Sequence, residues 1–344
     1  MTLAVRYTAA RALDTAPVES SPPGPGEVEL APAYVGICGT DLHIFHGDMD
    51  ARVSTPAVLG HEMSGRVVRV GPGVEDWAPG DAVTVMPLRW DDTCPACRAG
   101  HRHICQHLDF IGIDSPGAMQ QRWTVPAATL IRLPDSLPLD RAALVEPTAV
   151  AVHDVARAGV RDGEKTVVVG GGPVGVLIAL VARAVGAEVR VVEPSPHRRR
   201  LAEELGLTAW DPADDVSELV REWTGDAGAA VAFEVSGAAA GVTTAVDVLG
   251  VRGRLCLVAI HPSPRELNLH RFFWRELTLV GARLYDRHDF EKAVALVADG
   301  TIPAERLISK VVPLTQAPAA FEALEGGGDV MKILVDCGDD TTGN

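Results

Sequence analysis

The strongest constraint on the fold lies at Gly170-Gly171-Gly172-Pro173-Val174-Gly175. An apolar run at residues 166–169 precedes it, and an apolar stretch of helical length at 174–185 follows. Between Lys165 and Arg183 no residue is charged, as in a membrane-spanning segment. Glycines and a proline in its middle would cost such a helix its backbone hydrogen bonds, so a buried strand, a tight turn and a helix fit better. A strand that apolar is buried on both faces, which requires a parallel sheet with helices on each side. From about Ala149 the pattern supplies them, with strands expected at 188–192, 230–235, 254–260 and 277–282 and helices at 197–205 and 238–249.

The turn also carries chemistry. Its glycines follow the G-x-G-x-x-G pattern between a strand and a helix, and Glu193 ends the next strand about 20 residues on. Gly170 permits the tight turn, Gly172 lets backbone approach a pyrophosphate, and Gly175 lets the helix pack close to the strand. Pro173 and Val174 open the helix, whose free N–H groups face the phosphates. Glu193 would accept hydrogen bonds from the adenosine ribose and repel a 2′-phosphate, which favours NAD over NADP. Arg198, Arg199 and Arg200 could accept that phosphate. Beside Glu193 the run reads as the solvated face of the second helix, with Arg198 kept among the cofactor contacts.

The first part of the chain reads differently. Strands are expected at 3–7, 27–35, 65–70 and 82–86, separated by the proline- and glycine-rich 20–26 and by Gly71-Pro72-Gly73. Short strands with frequent turns suggest a small barrel-like β domain. After about Tyr285 one helix (290–298) and a final strand (332–335) are expected, before a short polar tail at 339–344. This segment should return to the first domain, giving one domain from 1–148 and 286–344 and a second, inserted one from 149–285.

Metal-binding donor types gather in the first domain. Gly36-Ile37-Cys38-Gly39-Thr40-Asp41-Leu42-His43 and Gly60-His61-Glu62 supply a thiol, two imidazoles and carboxylates in an otherwise apolar, glycine-rich setting. Zinc takes such donors, and a catalytic zinc keeps one position open for water or substrate. Cys38 and His61 are candidate ligands, with Glu62 or a later carboxylate as the third. Taken singly, Cys38 could be a small core residue and His61-Glu62 a surface pair. Cys94, Cys97 and Cys105 crowd into one loop, a spacing that favours metal over disulfides and a reducing, cytoplasmic compartment. No secretory signal is visible at the start of the chain. The formal net charge of -15 argues against a nucleic-acid or anionic-membrane partner, since either would need a basic face.

Together with Glu146-Pro147 and the glycine turn, these motifs resemble the zinc-dependent medium-chain dehydrogenase/reductase family, in the family's order and over nearly the whole chain. Glu146, where liver-type alcohol dehydrogenases carry a cysteine, resembles the polyol branch of sorbitol, threonine and butanediol dehydrogenases. The resemblance implies an α/β fold, a GroES-like β-barrel catalytic domain with a doubly wound Rossmann cofactor domain. It implies Cys38 and His61 as catalytic zinc ligands with Glu62 or Glu146 as the third, and NAD as the hydride acceptor. It further implies that Thr40 takes the alcohol proton and relays it through the cofactor ribose to His43. In the family's structural-zinc lobe four cysteines stand at the spacing of Asp91, Cys94, Cys97 and Cys105, so Asp91 here replaces the first. Asp92, His101, His103 or His107 could compete for that corner.

The expected activity is oxidation of a secondary alcohol on a polyol, sugar-derived, vicinal-diol or amino-alcohol substrate. Two other readings stand beside it, a redox-neutral epimerase or lyase using NAD transiently and a non-catalytic NAD-binding structural protein. The resemblance also implies a homo-oligomer, a dimer or tetramer. Phe45, Trp90, Phe110, Trp123, Phe273 and Trp274 are candidates for lining a substrate pocket, although most aromatic residues serve as core.

Overall fold

The computed structural model describes residues 2–325 and 329–338, and the polar tail expected at 339–344 lies outside the described residues. The chain divides into two compact units, one from Met1–Glu146 with Asp286–Asn344 and one from Pro147–Tyr285.

The second unit is built on Lys165–Val169, whose residues 166–169 are buried. It pairs in parallel with Glu188–Val192 on one side and Ala229–Glu234 on the other. The full order across the sheet is Thr208–Trp210, Glu188–Val192, Lys165–Val169, Ala229–Glu234, Leu249–Leu257, Thr278–Gly281, all parallel. The chain therefore runs outward from its first strand, then returns and runs outward on the other side. That reversal leaves a crevice at the carboxyl ends of the central strands, where ligands of open parallel sheets bind. Gly170 sits there with φ +109°, a conformation that side chains disfavour. A Cβ on Gly175 would lie 1.8 Å from the carbonyl oxygen of Gly170, so the helix Pro173–Ala184 rests almost backbone to backbone on the turn.

In the first unit, Glu27–Gly36 runs antiparallel to Glu62–Val70 on one edge and to Lys332–Asp336 on the other. The sheet continues through Ala82–Val85 and Leu130–Arg132 on one side and Ile308–Pro313 on the other, while Trp123–Pro126 also pairs with Glu27–Gly36. A smaller sheet joins Ala12–Val18, Thr2–Ala9 and Ala57–Val58.

The segment after Tyr285 is richer than expected. The helix Arg287–Ala298 and the strand Lys332–Asp336 are joined by Ala304–Leu307, the strand Ile308–Pro313 and the helix Ala317–Glu325. Ile308–Pro313 escapes notice in the sequence because it is an edge strand, with Ser309 and Lys310 exposed and a closing proline. Among the described residues no helix is long and apolar enough to cross a membrane, and the uncharged stretch after Lys165 is a strand, a turn and a helix.

The close contact at Gly175 makes a measurable demand. Gly175→Ala should lower stability by about 1–3 kcal/mol, because the methyl meets immobile backbone. Gly281→Ala, where a Cβ meets nothing within 4 Å, should stay within about 0.5 kcal/mol of the parent. Thermal unfolding of the two variants checks this, and equal midpoints would contradict the packing described.

Candidate metal centre and dinucleotide site

The pairing of Glu27–Gly36 with Glu62–Val70 ends with Gly36 opposite Glu62. Just beyond that rung the chain delivers Cys38, which caps the helix Gly39–His46, and His61, which precedes the partner strand. Gly36 is bare for a reason visible in the packing. A Cβ there would lie 2.2 Å from Glu62 Oε2, inside the space that the carboxylate needs.

The Cys38 sulfur, a His61 ring nitrogen and a Glu62 oxygen lie within 4.8 Å of one another. Ligands around a tetrahedral zinc stand about 3.3–3.8 Å apart at ordinary bond lengths, so modest side-chain movement would close this set on an ion. The donors suit zinc as well: one soft thiol, one imidazole and one hard carboxylate. His61 and Glu62 are almost fully buried, and Cys38 is partly open.

Asp41 stands behind His61. Its Oδ2 accepts the Cys38 N–H at 2.9 Å, and its Oδ1 lies 3.6 Å from His61 Nδ1. Asp41 Oδ1 and His61 Nδ1 are both buried without a hydrogen-bond partner. A carboxylate behind a histidine is the usual way to hold an imidazole with its other nitrogen aimed at a metal. Burial pushes the Asp41 carboxyl up, although His61 pulls the other way. Burial alone would lower the His61 imidazole, yet Asp41 and then Cys38 hold it well above the usual histidine value. The Asp41 carboxylate and the Cys38 sulfur thus both favour positive charge at this position.

Glu146, second residue of the helix Val145–Ala158, is 3% exposed and acts electrostatically on both His61 and Lys332. It is not among the three donors that already lie within 4.8 Å. Lys332, which sequence reasoning missed, is 3% exposed with its ammonium on both oxygens of Glu62. Its signal in the sequence was a lysine heading the apolar run Lys332-Ile333-Leu334-Val335, where a charge must be buried with a partner. Thr40 and His43 stand three apart on the helix Gly39–His46, hence on one face, and His43 Nδ1 lies 3.1 Å from Asp48 Oδ2 at the half-exposed end of that face. Of the aromatic candidates, Phe110 comes within 5.1 Å of the His61 ring, centroid to centroid. Phe45 and Trp123 are core, whereas Phe273 and Trp274 are exposed.

The second donor group is also gathered. One oxygen of Asp91 and the sulfurs of Cys94, Cys97 and Cys105 lie within 4.8 Å of one another. The Cys97 and Gln106 N–H groups aimed at its sulfur lower the Cys94 thiol to about 7, while burial pushes Cys97 up to about 12. His107, then the Cys94 and Thr93 N–H groups, holds the Asp91 carboxyl well below the usual range. Three of the four competing donors have other partners: Asp92 pairs with Arg102, His103 with Asp286, and His107 with Asp91 itself. Among the described residues all six cysteines are free thiols.

At the glycine turn, Glu193 is buried and its oxygens accept the Gly171 N–H at 2.7 Å and the Ser195 N–H at 2.8 Å. The carboxylate thus ties the turn to the end of the second strand. The arginine run is not uniformly solvated, contrary to expectation. Arg199 is pinned to Asp211 and to the carbonyls of Glu193 and Pro194, while Arg198 reaches to 3.8 Å from where a Cβ on Gly172 would stand. Helical periodicity explains the difference, since only Arg200 points outward.

Comparison with known proteins accords with this geometry. Residues 24–135 match the alcohol dehydrogenase GroES-like domain and residues 173–299 the zinc-binding dehydrogenase domain. The chain is 48% identical to the 2-dehydro-3-deoxy-L-galactonate 5-dehydrogenase of Pseudoalteromonas atlantica, over 97% of this chain and 98% of that one. It is 32% identical to the L-galactonate-5-dehydrogenase of Escherichia coli, over 87% and 88% of the two chains. The crystal structure of 2R,3R-butanediol dehydrogenase from Bacillus subtilis superposes with a TM-score of 0.90 at 31% identity, covering 98% of this chain and 99% of that one. The chain therefore belongs to the zinc-dependent medium-chain dehydrogenase/reductase family, on its polyol branch, and is an oxidoreductase that passes hydride from a secondary alcohol to NAD.

Proposed function

We propose that this enzyme oxidises a secondary hydroxyl of a sugar acid, at the carbon that its two galactonate-type relatives are named for. The observation that carries the chemistry is the closeness of the Cys38, His61 and Glu62 donor atoms beside a buried carboxylate that orients His61. The substrate class rests on those relatives, both named as 5-dehydrogenases of sugar acids.

Bound zinc supplies the Lewis acidity that lets an alcohol lose its proton near neutral pH, and NAD supplies the hydride acceptor. The chain's own residues do the rest. Cys38 and His61 hold the metal with Glu62 or Glu146 as third ligand, and Asp41 fixes the His61 ring. Thr40 takes the alcohol proton, and His43, at the solvated end of the same helix face, passes it to water. Gly170, Gly172, Pro173, Val174 and Gly175 bring backbone and a helix N-terminus to the pyrophosphate. Glu193 faces the adenosine ribose, and Arg198 lies against the turn beside the phosphates. Asp91, Cys94, Cys97 and Cys105 hold a structural zinc, whose four filled corners leave no place for substrate.

A reducing compartment, the cytoplasm, suits four cysteines that act as donors only while reduced. A homo-oligomer is supported by exposed apolar side chains on the last elements of the parallel-sheet unit. Val251 on Leu249–Leu257, Phe273 and Trp274 on the helix Leu269–Arg275, and Leu279 on the edge strand Thr278–Gly281 are 41–76% exposed, apolar surface that a second copy would cover.

Following absorbance at 340 nm over a panel of sugar acids, polyols, diols and simple alcohols tests the reading. Sugar acids should give the highest kcat/KM, and a panel without net NADH formation would contradict it. Cys38→Ser should lower kcat/KM by about 10³-fold or more while the fold persists. Cys97→Ser should instead lower the melting temperature and remove one equivalent of zinc, leaving the chemistry in place. The negative charge of Glu193 should make NADP at least about tenfold poorer than NAD, and Glu193→Gln should narrow that gap. A parent enzyme that prefers NADP would overturn the assignment.

A further inference from the structure

Lys332 heads the strand Lys332–Asp336 and is 3% exposed. Its ammonium donates to the Ile37 carbonyl at 3.1 Å and to Glu62 Oε1 and Oε2 at 2.9 and 2.7 Å. Glu62 is 1% exposed, and among the described residues no other hydrogen bond reaches its carboxylate. The same carboxylate lies within 4.8 Å of the Cys38 and His61 donor atoms. One buried anion therefore stands between two cation positions, an ammonium supplied by the chain and the metal site.

We infer that Lys332 is a positioning residue that governs whether Glu62 ligates the catalytic metal, an inference that rests on the metal centre proposed above. With Cys38 as thiolate, two glutamates and a neutral His61, the donors carry three negative charges against a dication. Asp41 behind His61 adds a fourth, so the Lys332 ammonium and a dication together offset three of the four buried negative charges. The ammonium and the metal repel one another across the carboxylate, so Glu62 is shared and held as a reserve ligand, leaving a coordination position for substrate. Take away the ammonium and Glu62 becomes a buried carboxylate with no counter-charge except the metal. Such an uncompensated charge is costly, and binding the ion is its relief. Gly36 fits this account, because its missing Cβ leaves the carboxylate room next to the lysine.

Cobalt replacing zinc makes coordination visible, and the difference spectrum against Cys38→Ser isolates this centre from the Asp91 cluster. The parent protein should show a thiolate-to-cobalt band and the intense visible absorption of four-coordinate cobalt. In Lys332→Met the visible bands should weaken as Glu62 binds fully, and competition with a chelator should show zinc held about tenfold more tightly. The double variant Glu62→Gln/Lys332→Met keeps no unpaired buried charge, so it tests the idea even if the single variant does not fold. It should return to the parent spectrum. An unchanged spectrum in Lys332→Met would overturn the inference while leaving the metal centre standing, as would a double variant that departs from the parent. Absence of the thiolate band from that difference spectrum would remove the metal centre itself, and the inference with it.

Discussion

The register between Glu27–Gly36 and Glu62–Val70 is the constraint on which the metal centre depends. With Gly36 opposite Glu62, the residues that continue each strand, Cys38 and His61, meet at one end of the pair. A slip of one residue would turn every side chain of a strand to the other face. The apolar side chains along these strands, Val28, Leu30, Val35, Met63 and Val67 among them, are buried and resist that slip. The donor geometry is thus held by ordinary core packing, and the polar residues occupy places that the core leaves open.

Those polar residues form a chain of buried charges that only makes sense as a set. Asp41, His61, Glu62 and Lys332 are all nearly inaccessible to water. Lys332 neutralises Glu62 through two short contacts; burial alone would lower its ammonium, yet Glu62 and then Cys38 hold it above the usual lysine range. Asp41 and His61 face each other at 3.6 Å with one atom each unsatisfied. Burying unsatisfied polar groups opposes folding by a few kcal/mol each, and sites that bind ions or react are where proteins tolerate it. The second donor cluster lacks such a system: Asp91 is held by two N–H groups and His107, as suits a site that only stiffens its loop.

Much of this was legible in the sequence because it rests on local rules. The uncharged run broken by Gly170-Gly171-Gly172-Pro173 could only be a strand, a turn and a helix, and the alternation after it implied the parallel sheet. Cys38, His61 and Glu62 announced themselves by donor type, as did Cys94, Cys97 and Cys105 by their crowding, while Asp91 joined them only through the family resemblance. What escaped depends on contacts distant in sequence. Lys332 meets Glu62 across 270 residues, and the apolar run it heads implies a buried charge without naming its partner. Ile308–Pro313 is a strand because Lys332–Asp336 lies beside it, not because its own pattern alternates. The arginine run misled because adjacent helical positions point in different directions, so that Arg199 is tied to Asp211 while Arg200 faces solvent.

The central claim is that Cys38 and His61 hold a zinc ion. Crystals of the zinc-loaded protein, measured on both sides of the zinc absorption edge, address it most directly. The account predicts an anomalous peak within bonding distance of Cys38 Sγ and a His61 nitrogen, in addition to one among Asp91, Cys94, Cys97 and Cys105. A peak at the second cluster alone, with Cys38 and His61 touching no metal in a fully loaded crystal, would contradict it.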